Sequence, residues 1–142
     1  MKHQQRHRAR EAALQILYQA EVARTDVAQA ANTFFDRQWQ DPQPPPEGVR
    51  SFATALAHET IRRLPESDTL IAETTERWRP ERMAVIDRLI LRMSIAEMLY
   101  DRETPAAVVI NEALELARRF STEESVKFIN GMLDAVRRRM ER

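Results

Sequence analysis

Apolar residues recur at three- and four-residue steps along almost the whole chain, and nowhere do they alternate over a strand-length run. That period places them on one face of a helix, so the pattern restricts the fold to packed amphipathic helices. Only two glycines occur in 142 residues, which leaves proline and polar caps as the main punctuation. The firmest break is residues 40–47, QDPQPPPE. Three consecutive prolines lack amide donors and favour polyproline II, so this stretch reads as a stiff, exposed connector, with a proline-motif ligand as the alternative.

Seven helices follow from the spacing. The first spans residues 6–24, with Ala9, Ala13, Ile16, Leu17 and Ala20 on one face. Thr25 or Asp26 caps a second, whose stripe is Val27, Ala30, Ala31, Phe34 and Phe35, with Trp39 at its end. A third gathers Val49, Phe52, Ala53, Leu56, Ile61 and Leu64, and Pro65 stops it. A fourth, shorter helix carries Leu70, Ile71, Thr74 and Trp78, and Pro80 fits the first turn of a fifth. In the fifth, Met83, Ile86, Ile90 and Met93 form one stripe while Val85, Leu89, Ile95 and Leu99 spread over other faces. Only Glu81, Arg88 and Arg92 make a polar strip there, so this helix is either central or covered by a partner. Pro105 opens a sixth helix with Val109, Ile110, Ala113, Leu116, Ala117 and Phe120. Ser121 followed by Glu124 has the form of a capping box, ahead of a seventh helix that buries Val126, Ile129, Leu133, Val136 and Met140. The expected architecture is all-α: two helical bundles, about residues 1–65 and 66–142, packed into a single domain large enough to bury a core without disulfides or metal.

The chain has no cysteine, no apolar run long enough to span a bilayer and no signal-peptide pattern, so a cytoplasmic location and no membrane partner are expected. GxSxG, glycine-rich phosphate loops and zinc-type His-Glu motifs are missing, which argues against an enzyme and against a bound cofactor. His3, His7 and Glu11 stand four residues apart and could align along one face as metal ligands. Their basic surroundings oppose a cation, and a solvated face is the better reading. Glu123 and Glu124 are adjacent and point about 100° apart, as first-turn acids and not as an acid/base pair.

Twenty-two basic residues balance twenty-two acidic ones, so any affinity for polyanions must be local. Lys2, Arg6, Arg8 and Arg10, with His3 and His7 among them, precede the first acid, and Arg137, Arg138, Arg139 and Arg142 lie at the other end. Such clusters attract phosphates, or merely aid solubility. Phe128 lies roughly 110° from the centre of the seventh helix's apolar stripe, beside Lys127. An off-stripe aromatic next to a lysine can stack on an unpaired base while the lysine meets its phosphate; it can equally pack against the other bundle.

Three stretches, RHRAREAALQILYQAE, IDRLILRMSIAEML and TPAAVVINEALELARRFSTEESVKFINGMLD, together resemble the NusB family, in that family's order and over nearly half the chain. The last is the most specific, combining a proline, the VINEALELAR helix and the KFINGMLD element. The resemblance implies a NusB-like fold of two helical bundles and a non-catalytic transcription antitermination role. NusB-like proteins bind boxA RNA together with ribosomal protein NusE, within an elongation complex of RNA polymerase and other Nus factors, and promote read-through, notably in ribosomal RNA operons. It implies RNA contacts from Arg6, Arg8 and Arg10 and from Lys127 and Phe128, as two halves of one single-stranded RNA site. His7 interrupts what is in many members an unbroken arginine run, which would weaken the local charge or make it depend on pH. NusE is expected on the second bundle, with Asp87, Arg88 and Arg92 of the fifth helix as candidate contacts; internal packing is the alternative for that face. A homodimer that hides the RNA face is a further possibility, and a protein-interaction adaptor with incidental basic ends is the rival function.

Overall fold

The computed structural model describes residues 3–76 and 78–142, and the described residues form helices joined by turns, with no strand among them. Lys2, the first of the N-terminal cations, lies outside them. The chain divides into two compact units, Met1–Ile61 and Arg62–Arg142.

In the first unit α1 (His3–Ala23) buries Ala9, Ala12, Ala13, Leu14, Ile16, Leu17 and Ala20. It starts at His3 rather than residue 6, so the arginines expected in its first turn lie up to two turns inside it. Arg24 closes it in the left-handed region (φ 56°). There the Arg24 and Thr25 amides donate to the Glu21 and Ala20 carbonyls, satisfying groups that the helix end would otherwise leave bare. Asp26, not Thr25, caps α2 (Val27–Thr33), accepting from the Gln29 amide at 2.7 Å. The backbone then widens into a π-helical turn over Phe34–Gln38. Phe34, Phe35 and Trp39 form one aromatic cluster there, with ring centroids 5.1–6.3 Å apart. After the prolines, α3 (Glu47–Arg62) buries Val49, Ala53, Leu56 and Ala57. Ile61, expected in that core, is 44% exposed.

In the second unit Pro65 begins a helix instead of only ending one. It lies in the first turn of α4 (Leu64–Thr74), where amides have no intrahelical acceptor and proline's missing donor costs nothing. The Thr74 hydroxyl donates back to the Leu70 and Ile71 carbonyls as α4 ends, so Trp78 falls outside the helix. Pro80–Arg82 form a separate 3₁₀ turn. Met83 and Ala84 are extended and divide that turn from α5 (Val85–Tyr100), which removes Glu81 and Met83 from the faces expected of the fifth helix.

Helix α5 contacts α4, α6 (Ala106–Phe120) and α7 (Glu123–Arg139) and is largely buried within its unit. Leu89, Ile90, Leu91, Met93, Ile95 and Met98 are all buried, each contributing about 1.5–3 kcal/mol by removal from water. Thr122, not Ser121, caps α7 by accepting from the Ser125 amide at 3.1 Å, and Met140 lies past the helix end. No helix among the described residues is long and apolar enough to cross a membrane.

Candidate nucleic-acid interface

The arginines of α1 divide between two faces because successive helical residues turn about 100°. Arg6 and Arg10, four apart, share a face, and their guanidinium carbons lie 5.6 and 5.3 Å from the centre of the Phe52 ring on α3. Arg10 is only 2% exposed. Its cation ties α1 to α3, which corrects the expectation that it meets RNA phosphate directly. Arg6 is half-buried.

Arg8 turns the other way. Its guanidinium lies 4.5 Å from the centre of the Trp39 ring and 3.3 Å from Asp41 Oδ2, with the side chain 42% exposed. His7 Nε2 stands 3.0 Å from Glu11 Oε1. Among the described residues no three His, Asp or Glu side chains converge where they could hold a metal.

The second unit presents Lys127 and Phe128 on the first turns of α7. Both are exposed, Phe128 by 46%, while Val126 and Ile129 on either side of them are buried. The stripe of Val126, Ile129, Leu133 and Val136 therefore anchors the helix and leaves the ring at the surface.

What fixes this end of α7 is Asp87. Its two carboxylate oxygens accept from Ser121 Oγ and Ser125 Oγ, each at 2.6 Å, and the residue is 9% exposed. Asp87 was expected at a partner surface; both its oxygens are instead engaged inside the unit. Arg92 is also engaged within the unit. It donates two hydrogen bonds to Asp68 of α4, at 2.9 and 2.8 Å, and lies 6.0 Å from the Trp78 ring centre, with its side chain 13% exposed. Arg88 is half-buried.

The C-terminal arginines also find acceptors within the unit. Arg137 and Arg138 pair with Asp134, and Arg139 pairs with Glu73 at 2.8 Å. Arg142 donates to the Met98 and Thr104 carbonyls at 2.6 and 2.7 Å, closing the C-terminal end of α5. Their pattern is that of cations at helix C-termini, where the helix dipole favours them.

Sequence reading did not single out Trp39, Asp41 or Phe52 as neighbours of the arginines. Phe52 is hidden in a normal apolar stripe. The Asp-Pro-Gln step after Trp39 was the available signal: Asp41 Oδ1 accepts from the Gln43 amide at 3.0 Å, a turn that Asp favours.

Each unit by itself carries groups suited to unpaired nucleic acid. In the first unit the Arg8 side chain, 42% exposed, can meet a phosphate, and in the second an exposed phenylalanine beside a lysine can stack a base.

The NusB family model matches residues 7–138. The transcription antitermination protein NusB of Koribacter versatilis is 46% identical over 136 residues, covering 96% of this chain and 90% of that protein. The corresponding protein of Solibacter usitatus is 47% identical over 135 residues, covering 95% and 90%. Among solved structures, T. maritima NusB aligns with a TM-score of 0.81 at 32% identity, covering 92% of this chain and 89% of that one. A structure of the antitermination factors NusB and NusE in complex with double-stranded RNA shares the fold, with a TM-score of 0.82 at 19% identity over 97% of this chain and 99% of that one.

Proposed function

The chain belongs to the NusB family, and from that premise we propose that it is a non-catalytic transcription antitermination factor: it binds boxA-type single-stranded RNA together with ribosomal protein NusE and promotes read-through by RNA polymerase, notably in ribosomal RNA operons. The observation that carries the RNA reading is the exposed Phe128 beside Lys127 on a helix whose start is pinned by Asp87. A phenylalanine ring 46% exposed and outside the buried stripe offers a face to a base, and a firm helix holds it ready to stack without a large ordering cost.

Arg6, Arg8 and Lys127 supply the phosphate contacts, Phe128 stacks a base, and Arg10 positions the arginine-bearing turn of α1 from beneath. Phosphate contacts of this kind hold the strand in register while the stacked base adds affinity. Both units act in one RNA-binding domain. NusE adds affinity through linkage, and the assembled protein works with RNA polymerase and the other Nus factors. For NusE, Arg88 stays in the proposed docking face, while Asp87 and Arg92 support that face from within.

Fluorescence anisotropy with a labelled boxA-type single strand, a scrambled strand of equal composition and a duplex, each with and without NusE, tests the reading. Preference for the boxA strand, strengthened by NusE, is the expected result. Equal binding of the scrambled strand would overturn boxA recognition, and preference for the duplex would overturn the single-stranded reading.

A further inference from the structure

Arg8 differs from the other arginines of α1 in what surrounds it. Its guanidinium rests on the face of Trp39, 4.5 Å from the ring centre, and its Nη2 edge meets Asp41 Oδ2 at 3.3 Å. Both partners come from a short closed turn. Trp39 Nε1 donates to the Gln43 carbonyl at 2.9 Å, and the Gln43 amide donates to Asp41 Oδ1 at 3.0 Å. Pro42 and the prolines after Gln43 restrict the same backbone. The turn is thus a stiff bracket that holds one aromatic face and one carboxylate against one arginine.

We propose that residues 39–43 belong to the RNA site, Trp39 positioning the Arg8 guanidinium and Asp41 occupying the edge that an RNA phosphate takes on binding; this rests on the RNA-binding reading above. Carboxylate and phosphate are interchangeable partners for a guanidinium, since both offer oxygens spaced for its fork. Asp41 uses that edge poorly. It reaches Arg8 through a single contact, while its other oxygen is held by the Gln43 amide. The Arg8 and Asp41 side chains are 42% and 38% exposed, and an ion pair so open to water contributes little, so a phosphate able to engage two N–H groups can replace it.

Trp39 acts in the opposite sense. Stacking fixes a long, flexible side chain before RNA arrives, so less conformational freedom is lost on binding. Asp41 also leaves a negative charge beside the incoming phosphate. It therefore raises the threshold for polyanions that make only charge contacts, and a strand that also stacks on Phe128 is penalised proportionally less.

RNA titration of the full chain over a range of salt concentrations tests this, with Asp41→Asn, Trp39→Phe, Trp39→Ala, Arg8→Ala and the Arg8→Ala/Asp41→Asn double variant. Asp41→Asn is expected to bind boxA-type RNA about two- to five-fold more tightly, the range corresponding to an exposed ion pair. Arg8→Ala is expected to weaken binding and make the log–log salt slope shallower by about 0.7. In that background Asp41→Asn should have no further effect. Trp39→Ala should weaken binding and Trp39→Phe restore most of it, with helix content by circular dichroism unchanged in both. An equal gain from Asp41→Asn with and without Arg8 would reduce Asp41 to a general charge effect and overturn the proposal, as would no gain at all. If Arg8→Ala and Phe128→Ala weaken RNA binding while Asp41→Asn and Trp39→Ala do not alter it, this inference fails and the RNA-binding reading stands. If the parent binds no single-stranded RNA, both fall together.

Discussion

Ser125 Oγ donates to Asp87 Oδ2 at 2.6 Å although the two residues are 38 apart in sequence, and Ser125 stands one helical turn before Phe128. The first turn of α5 therefore holds the first turn of α7, and Ser121 occupies the other oxygen of the same carboxylate. Any change at Asp87 reaches the surface that carries Lys127 and Phe128 through the second unit's own packing.

Removing that carboxylate should be costly. A hydrogen bond to a charged group contributes about 1.5–3 kcal/mol, and Asp87→Ala leaves two hydroxyls without their acceptor in a part-buried place. Denaturant unfolding should show a loss of at least that size, and the RNA affinity of the folded protein should fall with it as the start of α7 loosens. A variant as stable as the parent would contradict the anchoring role. Asp87→Lys should be worse still, so loss of NusE binding in that variant is informative only where helix content is intact.

The salt dependence of RNA binding separates the arginines. With Arg6, Arg8 and Lys127 each neutralising one phosphate, the slope of log affinity against log salt should be about −2, from roughly −0.7 per contact on a single strand. Buried Arg10 should not add to it. Arg10→Ala is instead expected to cost about 1–3 kcal/mol of stability through lost packing against Phe52, with the slope of the folded protein unchanged. A slope that drops on Arg10→Ala without loss of stability would put that residue back among the phosphate contacts.

What the sequence made legible was whatever depends on local period. The seven α-helices among the described residues, the buried stripes of α6 and α7, and the off-stripe position of Phe128 all follow from counting around a helix. Contacts between distant residues did not follow. Arg6 and Arg10 visibly share a face, yet which way that face turns depends on Phe52, which lies on another helix. Asp87 reads from the sequence as a candidate partner contact, because its hydroxyl partners are 34 and 38 residues away. Pro65 and Ser121 carry signals that read equally well one position or one role over: a proline can stop a helix or start one, and Ser121 and Thr122 both have capping chemistry. The π-helical turn has no periodic signature, so the bracket around Arg8 could be seen only once the chain was folded.

NusE and RNA should help each other by the same factor, because the coupling free energy between two ligands is reciprocal. Titrating NusE by calorimetry with and without saturating boxA-type RNA, then RNA with and without NusE, should give matching ratios. Arg88→Glu is expected to weaken NusE binding more than RNA binding. Full-strength NusE binding by a folded Arg88→Glu variant would remove this face of α5 from the proposed interface.

Phe128 gives the sharpest test, since its two possible roles predict opposite changes. Its ring is 46% exposed and lies outside the buried stripe, so Phe128→Ala opens no sizeable cavity and should leave thermal stability nearly unchanged. Loss of a base stack would cost about 1–3 kcal/mol of RNA affinity, roughly five-fold to more than a hundred-fold in Kd. Substituting Trp should preserve or strengthen binding, because every base offers a π face to whichever aromatic is present, whereas a core position would resist the larger ring. A ring needed for packing behaves otherwise: truncation would cost about 3–5 kcal/mol of stability, and the remaining folded protein would bind RNA like the parent. Thermal unfolding and RNA titration of the same two variants separate these outcomes, and a sharp fall in stability with unchanged affinity would remove Phe128 from the RNA site.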